Sequence, residues 1–280
     1  MEKSNIKNNK LKLLVLFLII MVIPIYIYAS ANYPFPLDSN YANGIRITSY
    51  TPSTLQTLYN TWKSRYVVSA DLGQRVISPE LYNRTVSEGI GYGMLLAVYF
   101  ADQTLFDNLW AFKVARSSGK TTGLMPCLIE NNGTIVIDWN SASDADFDIA
   151  FALLMAHYQW GSGGKYNYQN LAATEIARCR QYDINAGTYS VRPGDAWNDW
   201  GYPSYYAPAF FRVFGEYEGG TDKTTWDNVV QRCLNNINTN RNTSSGLVGE
   251  ICNVDTGERR TDNPCTGGCD GTLYKYNSCR

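Results

Sequence analysis

Carboxylates lie at the beginnings of two apolar stretches of this chain. Glu88 begins the first stretch, and the three aspartates of Ala142–Asp148 begin the second. Carboxyl groups that can hold or release a proton serve as general acids and general bases in the cleavage of glycosidic bonds. Glu88 and the aspartates are therefore candidate acid and base residues of one site. Each must be positioned by the helix that follows it.

Glu88 is surrounded by residues that suggest a helix start. Ser87 is predicted to be the N-cap, which would place Glu88 in the first helical turn. Glycines at 89, 91 and 93 each cost a helix about 1 kcal/mol relative to alanine, so their clustering indicates close approach of a ligand or of a neighbouring helix. The alternative is that Glu88 merely complements the helix dipole.

The aspartates at 144, 146 and 148 follow Ser143. Ser143 and Asp146 have the spacing of a capping box, so one carboxylate has an expected structural role. Three acids exceed what capping requires, and like charges held close together raise each other's pKa and share protons. A calcium site is the alternative, but the twelve-residue loop with its terminal glutamate is absent, so we expect no metal and no cofactor.

Aromatic residues are abundant, at 14% of 280 residues with 21 Tyr and 7 Trp. Their flat faces suit stacking on sugar rings in a groove, although the same side chains also fill cores. The formal net charge of −1 gives no general attraction to nucleic acid. The single histidine, His157, is expected to be an ordinary helix residue and not a ligand.

Helical periodicity recurs along the chain without a dividing linker, which predicts one mostly helical domain. Strand-like alternation is confined to short pieces such as 134–139. The predicted helices are Leu55 to Tyr66, Ser87 to Phe100, Asp146 to Trp160, Tyr168 to Tyr182, Tyr205 to Tyr217 and Thr225 to Asn238.

The N-terminus has the layout of a secretory signal peptide. Lysines precede an apolar run from 13 to 28, and Ala29-Ser30-Ala31 predicts cleavage before Asn32. We therefore expect residues 1–31 to be a signal peptide and the protein to be secreted, without stable membrane association. The alternative is a membrane anchor, which Pro24 and the short apolar run disfavour.

Four of the seven cysteines lie in the last 30 residues. We therefore expect a disulfide-closed loop between Cys252 and Cys279, although the pairing of the cysteines is left open.

Three segments resemble glycoside hydrolase family 8. Ala142–Asp146, with the apolar residues that continue to Trp160, is similar to the family's signature segment. Glu88–Met94 resembles its proton-donor segment, and Pro203–Ala209 resembles its aromatic segment. The resemblance implies an all-α (α/α)6 barrel, with residues 32–280 as the catalytic domain, and an inverting mechanism on β-1,4-linked glucans.

The resemblance also implies roles for individual residues. Glu88 would be the general acid, and Asp144, helped by Asp146, would hold the sugar in the cleaved subsite. Inversion requires a second carboxylate about 6.5–9.5 Å from the acid to activate water. The candidate substrate-binding residues are Trp197, Trp200 and Tyr205 for stacking, together with Tyr276 and Arg280.

The C-terminal segment departs from the family pattern. Asn277 occupies a position where one subgroup carries its base as Asp, and an amide cannot accept the proton from water. The base is therefore unassigned among Glu250, Glu258, Asp262 and Asp270. The resemblance also stops in mid-motif at Arg280, which predicts an incomplete product with about two-thirds of a barrel.

The expected function is endo-acting hydrolysis of a β-1,4-glucan of the cellulose type by a monomer whose partner is the polysaccharide. Mixed-linkage glucan, chitosan and xylan remain alternative substrates. The rival hypothesis is a secreted glycan-binding protein that has lost catalysis, which Asn277 and the missing end suggest.

Overall fold

A computed structural model of the chain describes residues 49–197 and 200–260. The described part is built mainly of α-helices, which confirms the all-α class. Strands are short and lie in the connections between helices. The seven helices are α1 (Pro52–Tyr66), α2 (Ser87–Tyr99), α3 (Gln103–Ser117), α4 (Ser143–Trp160), α5 (Tyr168–Arg178), α6 (Pro208–Glu218) and α7 (Gly220–Asn240).

The helices pack as consecutive hairpins. Helix α2 packs against α3, α4 against α5, and α6 against α7. The first members of these hairpins are also neighbours, because α2 packs along α4 and α4 contacts α6. This arrangement places the starts of α2 and α4, which carry the acidic groups, next to each other.

Seven short strands in the described part of the chain form three antiparallel sheets. The sheet that concerns the site has the order β3–β4–β5, in which Leu128 pairs with both Val86 and Asp138. The strands are β1 (Val67–Ser69), β2 (Gln74–Val76), β3 (Thr85–Val86), β4 (Leu128–Ile129), β5 (Val136–Asp138), β6 (Trp200–Gly201) and β7 (Cys252–Asn253).

The sequence did not predict α3. Most of its large apolar residues are buried, but so are Asp107, Lys113 and Arg116, whereas Val114 is exposed. Because charged residues lie on the buried side and an apolar residue lies on the exposed side, the helix shows no clear apolar stripe facing a polar one, and the periodicity signal disappears.

Other predicted elements differ at their ends. The helix predicted over Tyr168 to Tyr182 is α-helical only to Arg178 and continues as a π-helical turn over Cys179–Asp183. The helix predicted from Tyr205 begins at Pro208, because Pro203–Tyr205 forms a separate 3-10 turn. The alternation at 134–139 corresponds to β5.

Several sequence predictions fall outside the described residues. They concern the signal peptide at 1–31 and a set of C-terminal residues: Asp262, Asp270, Tyr276, Asn277, Cys279 and Arg280. Within 49–197 and 200–260, no helix has the length and apolarity needed to cross a membrane.

Candidate active site

The start of α2 carries Glu88 on a partly exposed position. Val86, the last residue of β3, is the N-cap, and Ser87 is the first helical residue. The Ser87 amide donates to the Cys127 carbonyl at 3.1 Å, and its hydroxyl donates to Glu88 Oε2 at 3.1 Å. The prediction that Ser87 caps the helix is therefore wrong, because its hydroxyl bonds to the neighbouring carboxylate.

The start of α4 is fully buried. Ala142 is its N-cap and makes no side-chain capping bond. The Ser143 amide donates to the Pro193 carbonyl at 3.0 Å, and the Ser143 hydroxyl donates to the Arg192 carbonyl at 2.6 Å. The predicted capping box of Ser143 and Asp146 is wrong, because the loop at 192–193 takes both polar groups of Ser143.

Asp144 and Asp148 lie one helical turn apart and share a face of α4. That face meets α2 closely: a Cβ added to Gly91 would lie 2.9 Å from the Asp148 Cβ and 3.3 Å from the Ala145 carbonyl oxygen. The clustered glycines thus serve the approach of a neighbouring helix at Gly91. Asp144 is 3% exposed, and its Oδ1 accepts a hydrogen bond from the Ala145 amide at 2.8 Å.

Asp146 points to a different side of α4. Its Oδ1 accepts a hydrogen bond from the Met125 amide at 3.3 Å. Burial, followed by the nearby Glu175 carboxylate, raises the pKa of Asp146 to about 7, while Lys113 and Lys120 act in the lowering direction. Asp146 is 2% exposed, about as buried as Asp144, and the sugar-holding role expected for it beside Asp144 stays a prediction.

One peptide segment joins the two helix starts. The Cys127 carbonyl accepts from Ser87, and the Cys127 amide donates to the Asn140 carbonyl at 2.7 Å. The sheet repeats this connection, because β3 leads into α2, β5 precedes α4, and β4 pairs with both. The relative position of Glu88 and Asp144 is therefore set by backbone hydrogen bonds and not by loops alone.

The Cys127 thiol lies in a negative field between two carboxylates. Burial, then the charges of Asp138 and Glu88, raise the pKa of this thiol well above its usual range. The thiol therefore stays protonated and is a poor nucleophile. Sequence reasoning did not single out Asp138; its place at the end of the alternating segment 134–139 was the available signal.

An aromatic row extends from the start of α4. A Cβ added to Gly194 would lie 1.9 Å from the Ser141 carbonyl oxygen, so only glycine allows this loop to approach α4. Ring centroids are 5.9 Å apart for Trp197 and Trp200, and the row continues through Tyr202 to Tyr205 with two spacings of 4.9 Å.

The members of this row differ in exposure. Trp197 and Tyr205 are partly exposed, whereas Trp200 is 6% exposed. The Trp200 ring contacts the rings of Trp197 and Tyr202, and the stacking role expected for Trp200 stays a prediction.

The described candidates for the general base flank β7. Strand β7 pairs with β6, so the segment around β7 lies beside Trp200. Both Glu250 and Glu258 are exposed.

Among the described residues, no group of three or more His, Cys, Asp or Glu side chains could hold a metal ion. His157 bonds through Nδ1 to the Ser162 hydroxyl at 2.9 Å, and all four described cysteines are free thiols.

Comparison with known proteins identifies the family. The sequence model of glycosyl hydrolases family 8 matches residues 33–263. The chain belongs to glycoside hydrolase family 8. Endoglucanase 2 of Ruminiclostridium josui is 38% identical over 232 residues, which cover 78% of this chain and 49% of the relative. Endoglucanase A of Acetivibrio thermocellus is 34% identical over 258 residues, covering 89% and 50%.

A solved family 8 structure gives the fold. The β-1,3-1,4-glucanase from Paenibacillus sp. X4 is 29% identical, has a TM-score of 0.70, and is matched over 79% of this chain and 63% of its own. This likeness and the family membership confirm the predicted (α/α)6 barrel class. The chain spans about half the length of the two endoglucanases.

Proposed function

We propose that this chain carries the catalytic machinery of a secreted, endo-acting glycosidase that cleaves β-1,4-glucan of the cellulose type by inversion. The observation that carries the proposal is the shared anchoring of two acidic helix starts to Cys127 in a family 8 chain. Relatives named endoglucanases, at 34–38% identity, favour this substrate class.

In the proposed mechanism Glu88 is the general acid. It is the partly exposed carboxylate of the two helix starts, so it can reach a glycosidic oxygen and donate its proton to the leaving group. Asp144, on the neighbouring helix start, holds the sugar in the cleaved subsite and stabilises positive charge that develops at the ring. Trp197 and Tyr205 are the stacking residues, and Tyr276 and Arg280 remain proposed sugar contacts.

Inversion needs a base as well, and Glu250 and Glu258 are its candidates in the described part. Both are exposed carboxylates on the loop that β7 holds against β6. Asp262 and Asp270 are the other candidates. Converting each of the four to alanine leaves room for azide, which attacks the anomeric carbon without a base. The base is the position where added azide restores turnover and a glycosyl azide is the product.

The substrate is tested by incubating the chain with carboxymethyl cellulose, barley mixed-linkage glucan, chitosan and xylan. We expect the fastest release of reducing ends from carboxymethyl cellulose, with a rapid fall in viscosity because internal bonds are cleaved. Glu88→Gln is the matched control, because it replaces the acidic carboxyl group by an amide of similar size that cannot donate the proton. Polymer binding without new reducing ends would support the rival glycan-binding hypothesis instead.

A mixed-linkage glucan is the second candidate substrate. The observation that favours it is the likeness to the Paenibacillus β-1,3-1,4-glucanase. Faster cleavage of barley glucan than of carboxymethyl cellulose would assign this substrate.

Secretion is tested separately by mass analysis of the mature N-terminus, where the proposed signal peptide predicts Asn32 as the first residue.

A further inference from the structure

An exposed tryptophan follows the outer strand of the sheet at the candidate site. Strand β5 lies at one edge of the order β3–β4–β5, and Trp139 comes directly after it. Trp139 is 48% exposed, and Ile135 and Ile137, four and two residues earlier, are exposed as well. Large apolar side chains that are exposed together commonly mark a binding surface, so this row requires an explanation.

Trp139 and Glu88 leave the sheet at the same end. Strands β3 and β5 are both antiparallel to β4, so they run in the same direction. Glu88 follows the end of β3 by two residues, and Trp139 follows the end of β5 by one. Val86 and Asp138 both pair with Leu128, and two strand spacings place them about 10 Å apart. Trp139 therefore lies close to the start of α2, at the end of the sheet that presents Glu88.

The position of the Trp139 ring is fixed by its surroundings. A Cβ added to Gly119 would lie 3.0 Å from Cη2 and 3.4 Å from Cζ3 of this ring, so the ring packs against the glycine backbone. The carbonyl of the next residue, Asn140, accepts from the Cys127 amide at 2.7 Å, and the Asn140 amide donates to Asp138 Oδ1 at 2.9 Å. A ring held in this way loses little conformational freedom when a ligand stacks on it, which favours binding.

The loops that hold Trp139 also hold Trp197, the proposed stacking residue. Asp195 Oδ1 accepts from the Ser141 amide at 2.9 Å, and Asp195 Oδ2 forms an ion pair with Lys120 Nζ at 2.6 Å. Trp139 lies two residues before Ser141. Trp197 lies two residues after Asp195, so each tryptophan backbone is at most about 7 Å from this connection. Both tryptophans therefore belong to one supported surface next to the start of α4.

We propose that Trp139 is a second stacking site for the glucan chain, beyond the sugar that Asp144 holds. The proposal rests on the proposed function for the identity of the polymer. A long chain that passes the acidic helix starts presents sugar rings to Trp197 and Trp139 together, and each indole packs on the apolar face of a sugar ring. The protein should therefore bind long chains more tightly than short ones, because a short chain contacts only one of the two tryptophans.

The alternative occupant of this surface is a second copy of the chain. An outer strand with exposed apolar residues can pair with the same strand of another molecule. Of Ile135, Ile137 and Trp139, only Trp139 lies next to the connections that hold Glu88 and Trp197. This position favours the polymer.

The stacking site is tested by affinity electrophoresis of the full chain in gels that contain carboxymethyl cellulose or barley mixed-linkage glucan. Trp139→Ala should weaken polymer binding by about 3- to 10-fold, the range for one lost stacking contact. Trp139→Tyr keeps a flat ring and should recover most of the affinity. Trp139→Leu keeps apolar bulk against Gly119 without a flat ring, so it should bind as weakly as Trp139→Ala even if alanine destabilises the fold.

Ile137→Ala is the matched control, because Ile137 is a similarly exposed apolar residue on the same strand but has no ring. It should bind the polymer as the wild type does. Wild-type affinity in both Trp139→Ala and Trp139→Leu would overturn the proposal, and so would a wild type that binds neither polymer. A wild-type dimer that Trp139→Ala and Ile137→Ala both dissociate in sedimentation velocity would also overturn it, in favour of the second copy.

Kinetics separate this proposal from the proposed function. In Trp139→Ala, KM for the polymer should rise by about 3- to 10-fold, and the rise should shrink as the substrate shortens to cellotriose. An equal rise in KM on both substrates would contradict a second stacking site. A wild type that binds the polymer through Trp139 but releases no reducing ends would refute the proposed function and support the stacking site.

Discussion

The two acidic helix starts have similar sequences but different surroundings. At α2, Glu88 is partly exposed and bonds to Ser87. At α4, Asp144 and Asp146 are both buried, and they point to different sides of the helix. The comparison shows that acids two residues apart in a helix start have different neighbours: Asp146 accepts from the Met125 amide, whereas Asp144 accepts from the Ala145 amide.

The largest expected effect comes from mutating Asp144 and Asp146 separately. Asp144→Asn should lower kcat by about 10²- to 10³-fold, because a charge that stabilises the transition state is lost. Asp146→Asn keeps an oxygen that can accept from Met125 and should lower kcat by less than about 10-fold. Steady-state kinetics on carboxymethyl cellulose measure both. Equal losses in the two variants would mean that both aspartates contact the sugar.

The close approach of the two helix starts can be broken at Gly91. Gly91→Ala should destabilise the fold by about 1–3 kcal/mol, because the new methyl group lies too close to Asp148 and the Ala145 carbonyl. Gly89→Ala is the matched control, since its added Cβ meets Val76 at an ordinary 3.6 Å and should gain helix propensity. Urea denaturation gives both values, and a Gly91→Ala variant as stable as Gly89→Ala would contradict this packing.

The interior acid predicts a pH dependence of stability. The pKa of Asp146 is raised to about 7 in the fold, compared with about 3.9 in an unfolded chain, so the folded state binds the extra proton between these values. Stability should therefore fall as pH rises from about 4 to 7, by at most about 1.4 kcal/mol per pH unit for this group.

Asp146→Asn tests this dependence because it cannot titrate. The unfolding free energy of this variant should fall less steeply between pH 4 and 7 than that of the wild type. The variant should therefore gain stability relative to wild type as pH approaches 7. Denaturation at several pH values measures the difference. Parallel curves for variant and wild type would show that Asp146 titrates normally.

The smallest expected effect on substrate handling concerns the aromatic row. Trp197→Ala should weaken polymer binding by about 5-fold, corresponding to about 1 kcal/mol of stacking, with little change in stability. Trp200→Ala should instead lower stability by about 3–5 kcal/mol, because a buried ring is removed. Affinity electrophoresis and thermal unfolding separate these outcomes, and the reverse pattern would place Trp200 at the sugar.

The sequence predicted the helices with clear amphipathic patterns and the residues of the two acidic groups. It missed α3, whose buried Asp107 and Lys113 erase the pattern, and it assigned caps to Ser87 and Ser143 from local spacing alone. Those serines bond instead to Glu88 and to the loop at 192–193.

The central claim, that Glu88 is the general acid, is tested most directly by changing the leaving group. The 2,4-dinitrophenolate group of a 2,4-dinitrophenyl cellotrioside leaves without protonation, whereas cleavage of carboxymethyl cellulose requires a proton from the acid. For Glu88→Gln we predict a loss of about 10²- to 10⁴-fold in kcat on the polymer and nearly wild-type kcat on the activated substrate. Equal losses on both substrates, or no loss on the polymer, would contradict the assignment.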